Sequence, residues 1–191
     1  MRRVSIVGSS GSGKTTLGRR LATCLDVQFV ELDSVFHQTD WTPLPRDEFR
    51  VRVGEVLGSD GWVVDGNYSA VQDLVWEQAD TVVWLDPPRR TVMRRVVLRT
   101  LRRAITREQL WNGNREPLTN LYRLDPEQNL IRWVWTRYPE YVERYGQAAH
   151  DPANAHLRFF RLSTRTGIDA LVGRACLGGG EPNRTRPPIS S

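Results

Sequence analysis

The sequence has one lysine, two cysteines and three histidines in 191 residues, and no apolar run of the length a bilayer demands. Each scarcity excludes something. A spanning helix needs about 20 consecutive apolar residues, and Met1-Arg2-Arg3-Val4 leads straight into a β-branched segment rather than a signal-peptide core with a cleavage site. The expectation is a cytoplasmic chain with no membrane partner. Cys24 and Cys176 lie far apart without CxxC spacing, so neither a disulfide framework nor a zinc site is expected. His37, His150 and His156 show no metal-ligand spacing.

What is present points to a folded enzyme-sized core. An apolar fraction of 39% with seven tryptophans excludes the disordered class for most of the length. A chain of 191 residues suits one α/β domain better than two. The net charge is +5, and Arg89 to Arg107 holds eight arginines and no acid, so this segment contributes +8 and the rest of the chain −3. The positive field is local, and it favours an anionic partner without choosing between nucleotide, nucleic acid and membrane.

The lone lysine stands in a telling place. Gly8-Ser9-Ser10-Gly11-Ser12-Gly13-Lys14-Thr15 fits the pattern GxxxxGK[ST], with the apolar run Val4-Ser5-Ile6-Val7 before it and Leu17, Leu21, Cys24 and Leu25 at helical spacing after it. Glycines let backbone N–H groups curl around a phosphate chain at a helix N-terminus. A compact ammonium follows a phosphoryl group in transit better than a planar guanidinium with a fixed fork. The expected nucleotide contacts are Gly8, Ser9, Ser10, Gly11, Ser12, Gly13, Lys14, Thr15 and Thr16, with ATP as the ligand and the Thr15 hydroxyl on Mg²⁺.

Further strands are expected at Val27 to Leu32, Trp62 to Val64, Thr81 to Leu85 and His156 to Leu162, with a closing helix through Ile168, Leu171, Val172 and Ala175. Strands alternating with helices argue for a mostly parallel sheet covered on both faces, whose ligands bind beyond the carboxyl ends of the strands. That rule places Asp33, Asp65 and Asp86 on the rim beside the glycine loop. Asp65, before Gly66, suits a Mg²⁺ carboxylate; its plainer role is a helix cap or turn. Asp86 ranks second because Pro87-Pro88 favours a turn. Asp33 is placed at a strand end, where a carboxylate would orient or deprotonate an acceptor hydroxyl. His37 and Trp41 stand in the same excursion.

On a helix starting near Arg89, Val92, Met93, Val96, Val97, Leu101 and Ala104 occupy one side, and Arg95, Arg99, Arg102 and Arg103 another. Arginines over the γ-phosphate accelerate phosphoryl transfer by about 10³ to 10⁵, which makes Arg99, Arg103 and Arg107 catalytic candidates. The plainer readings are a solvated face and a phosphodiester-binding patch. Thr106 to Asp125 is polar and reads as an excursion, with Arg107 and Arg115 as lid candidates. Pro126 would open a helix through Ile131 and Trp135, kinked at Pro139. Residues 178–191 carry too little apolar surface to fold and are expected to form a disordered tail.

With these residues the chain resembles the P-loop kinases of nucleoside monophosphates and small hydroxylated metabolites, such as adenylate and shikimate kinases. It is similar more closely to the adenylate-kinase-like bacterial group of DNA topology modulation proteins. The likeness rests on GSSGSGKTT, ELDSVFHQTDW, WVVDGNYS, TVVWLDPP with the arginine helix after it, NGNRE and IRWVWTRYPEY. It implies an α/β three-layer P-loop fold with a five-stranded parallel sheet in one domain over residues 1–177, an acceptor insertion near 34–60 and an arginine lid near 103–125. Asn67-Tyr68 replaces the Phe-Pro-Arg that follows the DG motif of adenylate kinases, removing the arginine that grips an acceptor phosphate; Asp33 falls near the acceptor aspartate of shikimate-type kinases.

The leading expectation is therefore an ATP- and Mg²⁺-dependent phosphotransferase acting on a small-molecule hydroxyl. A nucleotide-binding regulator touching DNA through the arginine helix, and an ATPase working on a protein partner, are the alternatives.

Overall fold

Three mostly apolar runs become the central strands because their β-branched and aromatic side chains can be buried on both faces of a sheet. In the computed structural model, which describes residues 1–106, 109–114 and 130–178, Arg3–Gly8 forms β1, Trp62–Asp65 β3 and Thr81–Leu85 β4. All residues of β3 and β4 are buried. Gln28–Glu31 (β2) and Arg158–Leu162 (β5) are the more exposed edges of a five-stranded sheet in the order β2-β3-β1-β4-β5, with every pairing parallel. The expected strands are all present, with ends shifted by up to two residues at β2 and β5.

Parallel strands force helical crossovers. Lys14–Leu25 (α1) and Arg165–Gly178 (α7) cover one face, where Leu17, Leu21, Leu25, Leu171, Val172 and Ala175 pack on Val4, Ile6, Val63, Val83 and Leu85. The opposite face carries Arg46–Leu57 (α3), Ser69–Gln78 (α4) and Leu130–Ala148 (α6), with Phe49, Val53, Leu57, Val75 and Tyr145 against Val7, Val64, Val82 and Trp84. Residues 4, 6, 83 and 85 thus face one layer and 7, 82 and 84 the other, the two-residue period of a strand. Leu32–Phe36 forms a short α2. Arg89–Thr106 forms α5, which packs on α6 through Val92, Val96 and Val134.

Two expectations need correction. Leu101 is 45% exposed. The buried stripe of α5 is Val92, Val96 and Thr100, a strict four-residue spacing that the hydroxyl of Thr100 disguised. α6 continues through Pro139, where the kink is expected. Cys24 and Cys176 are joined in a disulfide, with Cα atoms 4.5 Å apart. Their separation of 152 residues hid the pairing, but α1 and α7 lie side by side on one face of the sheet, so the cysteines meet. Closing so long a loop stabilises a fold by about 2–4 kcal/mol. Reduction is expected to lower the thermal midpoint by about 5–15 °C; an unchanged midpoint in reductant would show that the cysteines are not paired.

The expected helix start at Pro126, lid residues Arg107 and Arg115, most of the lid near 103–125 and nearly all of the tail at 178–191 lie outside the described residues. Gly178 closes α7. Among the described residues, no helix is long and apolar enough to cross a membrane.

Candidate active site

The turn from β1 into α1 is possible only with glycine at its two ends. Gly8 has φ 141°, and a Cβ there would sit 2.4 Å from the Leu85 carbonyl oxygen of the neighbouring strand. Gly13 caps α1 in the left-handed region at φ 103°. Between them the Oγ atoms of Ser9 and Ser12 are buried without a hydrogen-bond partner. Buried hydroxyls are rarely left so, and an anion seated at the positive end of α1 would satisfy them.

Two sets of side chains surround this loop. Lys14 Nζ donates to the Ser9 carbonyl at 3.3 Å, and Thr15 Oγ1 donates to Asp65 Oδ2 at 2.7 Å. Burial pushes the Asp65 carboxyl above its ordinary range, Lys14 and Thr15 pull it back, and Asp33 and Glu31 add to the rise. From behind, α5 delivers Arg95 Nη1 to the Ser12 carbonyl at 3.0 Å and Arg99 Nη2 to Ser10 Oγ at 2.9 Å. Two arginines of the cationic helix face are thus turned onto the loop.

A second constellation lies beyond β2 and β3. Asp33 is not at a strand end. β2 stops at Glu31, Leu32 turns inward at 2% exposure, and the chain enters α2 with Ser34 Oγ bonded to the Glu31 carbonyl, so Asp33 occupies the first helical turn. Its Oδ1 accepts the Tyr68 hydroxyl at 2.6 Å, and the same hydroxyl lies 3.4 Å from His37 Nε2. Burial, helped by Asp33, drives the phenol far above its ordinary range, so Tyr68 stays protonated and donates. Burial lowers the His37 pKa, against the pull of Asp33, which keeps the imidazole neutral near pH 7.

The excursion after α2 is locked to the segment following α5. Trp41 takes the left-handed region at φ 56°, strained for an aromatic residue, and its N–H donates to Asn114 Oδ1 at 2.9 Å. Asn114 Nδ2 bonds the Gln38 carbonyl, Asn112 Nδ2 bonds the His37 carbonyl, and Trp111 Nε1 bonds Glu31 Oε2. The rings of His37, Trp41 and Trp111 cluster there, with centroids 5.2 to 6.5 Å apart. Asp86 belongs elsewhere: it accepts from Arg161 and from the Tyr138 hydroxyl, an ion-paired turn at the end of β4.

Known proteins share this plan. Residues 10–46 match the shikimate kinase family model. A shikimate kinase of Corynebacterium glutamicum is 29% identical over 153 residues, covering 73% of this chain and 81% of that enzyme. One from Persephonella marina is 32% identical over 111 residues, covering 50% of this chain and 67% of that enzyme. The chain belongs to the shikimate kinase family. Among solved structures, a gluconokinase from Sinorhizobium meliloti 1021 superposes with a TM-score of 0.50 at 20% identity, covering 93% of this chain and 90% of that one. A shikimate kinase from Bacteroides thetaiotaomicron gives 0.50 at 17%, covering 91% and 95%. Both share the α/β fold with its five parallel strands.

This kinase is an ATP-dependent phosphotransferase acting on a small molecule. Its structure brings together Lys14, Thr15, Asp65 and Arg99 at the loop and Asp33 at the adjoining rim. Arg103 follows Arg99 by one helical turn on α5, and Arg107 lies outside the described residues. Asn67, Tyr68, Trp111, Asn112 and Asn114, which bond around these groups, are not singled out as candidate site residues by the sequence. For Asn112 the Asn-Gly dipeptide was a usable turn signal. Nothing in the sequence says which carbonyl an asparagine amide will reach.

Proposed function

We propose that the chain transfers the γ-phosphate of ATP, held by the Gly8–Thr16 loop, to a hydroxyl of a small molecule bound at the rim beside Asp33. The observation that carries this reading is the Tyr68–Asp33 hydrogen bond beside the Thr15–Asp65 pair. One carboxylate is committed to the phosphate loop. The other is set to accept a proton, since Tyr68 occupies Oδ1 and leaves the second oxygen for the acceptor hydroxyl. Lys14 would follow the transferring group, while Arg99, with Arg103 and Arg107 further along, would neutralise charge around it.

Mg²⁺ fits the residues present. Among the described residues no group of three His, Cys, Asp or Glu converges, but Mg²⁺ takes one or two carboxylates and completes its shell with phosphate oxygens and water. Thr15 and Asp65 are the residues that would hold it. Bound there with ATP, it would neutralise charge between the β- and γ-phosphates. The domain extent is read as residues 1–177, with the acceptor excursion at 34–60. A DNA-contacting role for the arginine helix has less behind it, because Arg95 and Arg99 are turned onto the loop.

The relatives' name makes shikimate the first acceptor to try, followed by other hydroxylated metabolites, nucleosides and nucleotides. ADP release should rise well above its acceptor-free rate with one member of that panel; release indifferent to every acceptor would sink the kinase reading of the rim. Tyr68→Phe, which keeps the ring and removes the donor, is expected to lower turnover of that acceptor about 10-fold. Affinity for a non-hydrolysable ATP analogue should stay unchanged. Equal loss in both would contradict the assignment of Tyr68 to the acceptor side.

A further inference from the structure

Asn67 has no place in the chemistry above, yet its contacts are the most confining at the loop. Its Nδ2 donates to the Gly8 carbonyl at 2.6 Å and its Oδ1 accepts the Gly8 N–H at 3.1 Å. One amide thus closes on both polar groups of a single residue. Gly8 has no side chain to fix it, its left-handed φ is available to few other residues, and it is where β1 gives way to the loop. Whatever holds Gly8 sets the direction in which the following N–H groups point.

Asn67 is itself held from α6. Tyr145 donates its hydroxyl to Asn67 Oδ1 at 3.1 Å. Its ring is fully buried, 6.4 Å from that of Trp76 and 6.2 Å from that of Trp84. Tyr141, one turn earlier on α6, stacks on Tyr145 at 6.1 Å and also reaches Asn67. The cavity behind these groups measures about 10 Å³, room for about one water.

We infer that Asn67 is a positioning residue for the phosphate loop, and that Tyr145 ties its position to α6. The loop is then gripped at its start by Asn67 and along its back by Arg95 and Arg99 of α5, and α5 packs on α6. Nucleotide affinity therefore depends on how the α5–α6 pair is seated. This inference rests on the reading of the loop as the ATP site.

The test is calorimetric titration of ADP and a non-hydrolysable ATP analogue, with Mg²⁺, into the full chain and its variants. Lys14→Ala checks the ATP site, and Val53→Ala, on the buried face of α3, supplies a destabilised protein with an untouched loop. Asn67→Ala is expected to weaken binding about 10- to 100-fold and Tyr145→Phe about 3- to 10-fold. The double variant should be no weaker than Asn67→Ala alone, since Tyr145 acts through Asn67. Val53→Ala should lower the melting midpoint and leave affinity unchanged. Wild-type affinity in Asn67→Ala, full additivity in the double variant, or equal weakening in Val53→Ala overturns the inference. If Asn67→Ala fails to fold, Tyr145→Phe decides, and wild-type affinity there overturns it. Absence of nucleotide binding in the wild type, or binding indifferent to Lys14→Ala, would instead sink the ATP-site reading and the inference with it.

Discussion

Lys14→Ala is expected to lower the rate of phosphoryl transfer by about 10²- to 10³-fold, the scale of losing one pre-aimed charged donor in a water-poor site. Lys14 opens α1 beside buried serine hydroxyls that have no partner, and its ammonium rests on the Ser9 carbonyl at 3.3 Å. That contact holds the charge over the loop without spending it on a carboxylate. Arg95 and Arg99 already hold the loop from behind, at the Ser12 carbonyl and Ser10 Oγ, so the arginines take the fixed positions and the lysine the moving one. Lys14→Arg should therefore also be impaired although its charge is kept. Wild-type turnover in either variant would remove Lys14 from the transfer step.

Asp33→Asn should cost about 10²- to 10⁴-fold in turnover, the usual contribution of a positioned general base, while the affinity for an ATP analogue stays unchanged. The substitution keeps the size of the side chain and an oxygen to accept the Tyr68 hydroxyl, so the local hydrogen bond survives. What it removes is the ability to take up a proton. The phosphate side, with Thr15 bonded to Asp65, is left alone. A turnover within about twofold of wild type would show that Asp33 only orients its neighbours.

The sequence reveals best what depends on neighbours along the chain. The five strands follow from apolar runs ended by Gly8, Asp65 and Asp86, and the loop from a motif whose glycines are demanded by φ angles seen at Gly8 and Gly13. The sequence puts Asp33 at a strand end, whereas Leu32, expected as the last strand residue, is the buried residue of α2 and Asp33 lies in its first turn. Contacts made across the fold were not legible. The Cys24–Cys176 bond needs α1 beside α7, the Asn67 clamp needs β1 beside β3, and the Asn114 contacts need the segment after α5 to reach the excursion after α2. In each the residue type is ordinary and only the topology gives it a partner.

That topology also puts one strand end between the phosphate loop and α2. Asp65, Asn67 and Tyr68 follow one another at the tip of β3, and their side chains bond Thr15, Gly8 and Asp33 respectively. β3 lies between β1, which feeds the phosphate loop, and β2, which feeds α2. A short run there can set the donor and acceptor sites against each other, bringing reactants into the geometry on which much of the rate of such reactions depends.

The most direct measurement follows the label from γ-labelled ATP in the presence of Mg²⁺ and the acceptor that stimulates ADP release. The label should appear covalently on an oxygen of the acceptor, and should be lost from that product in Lys14→Ala and in Asp33→Asn. Label recovered only as inorganic phosphate, or a labelled acceptor formed undiminished by Lys14→Ala, would contradict phosphoryl transfer at this site.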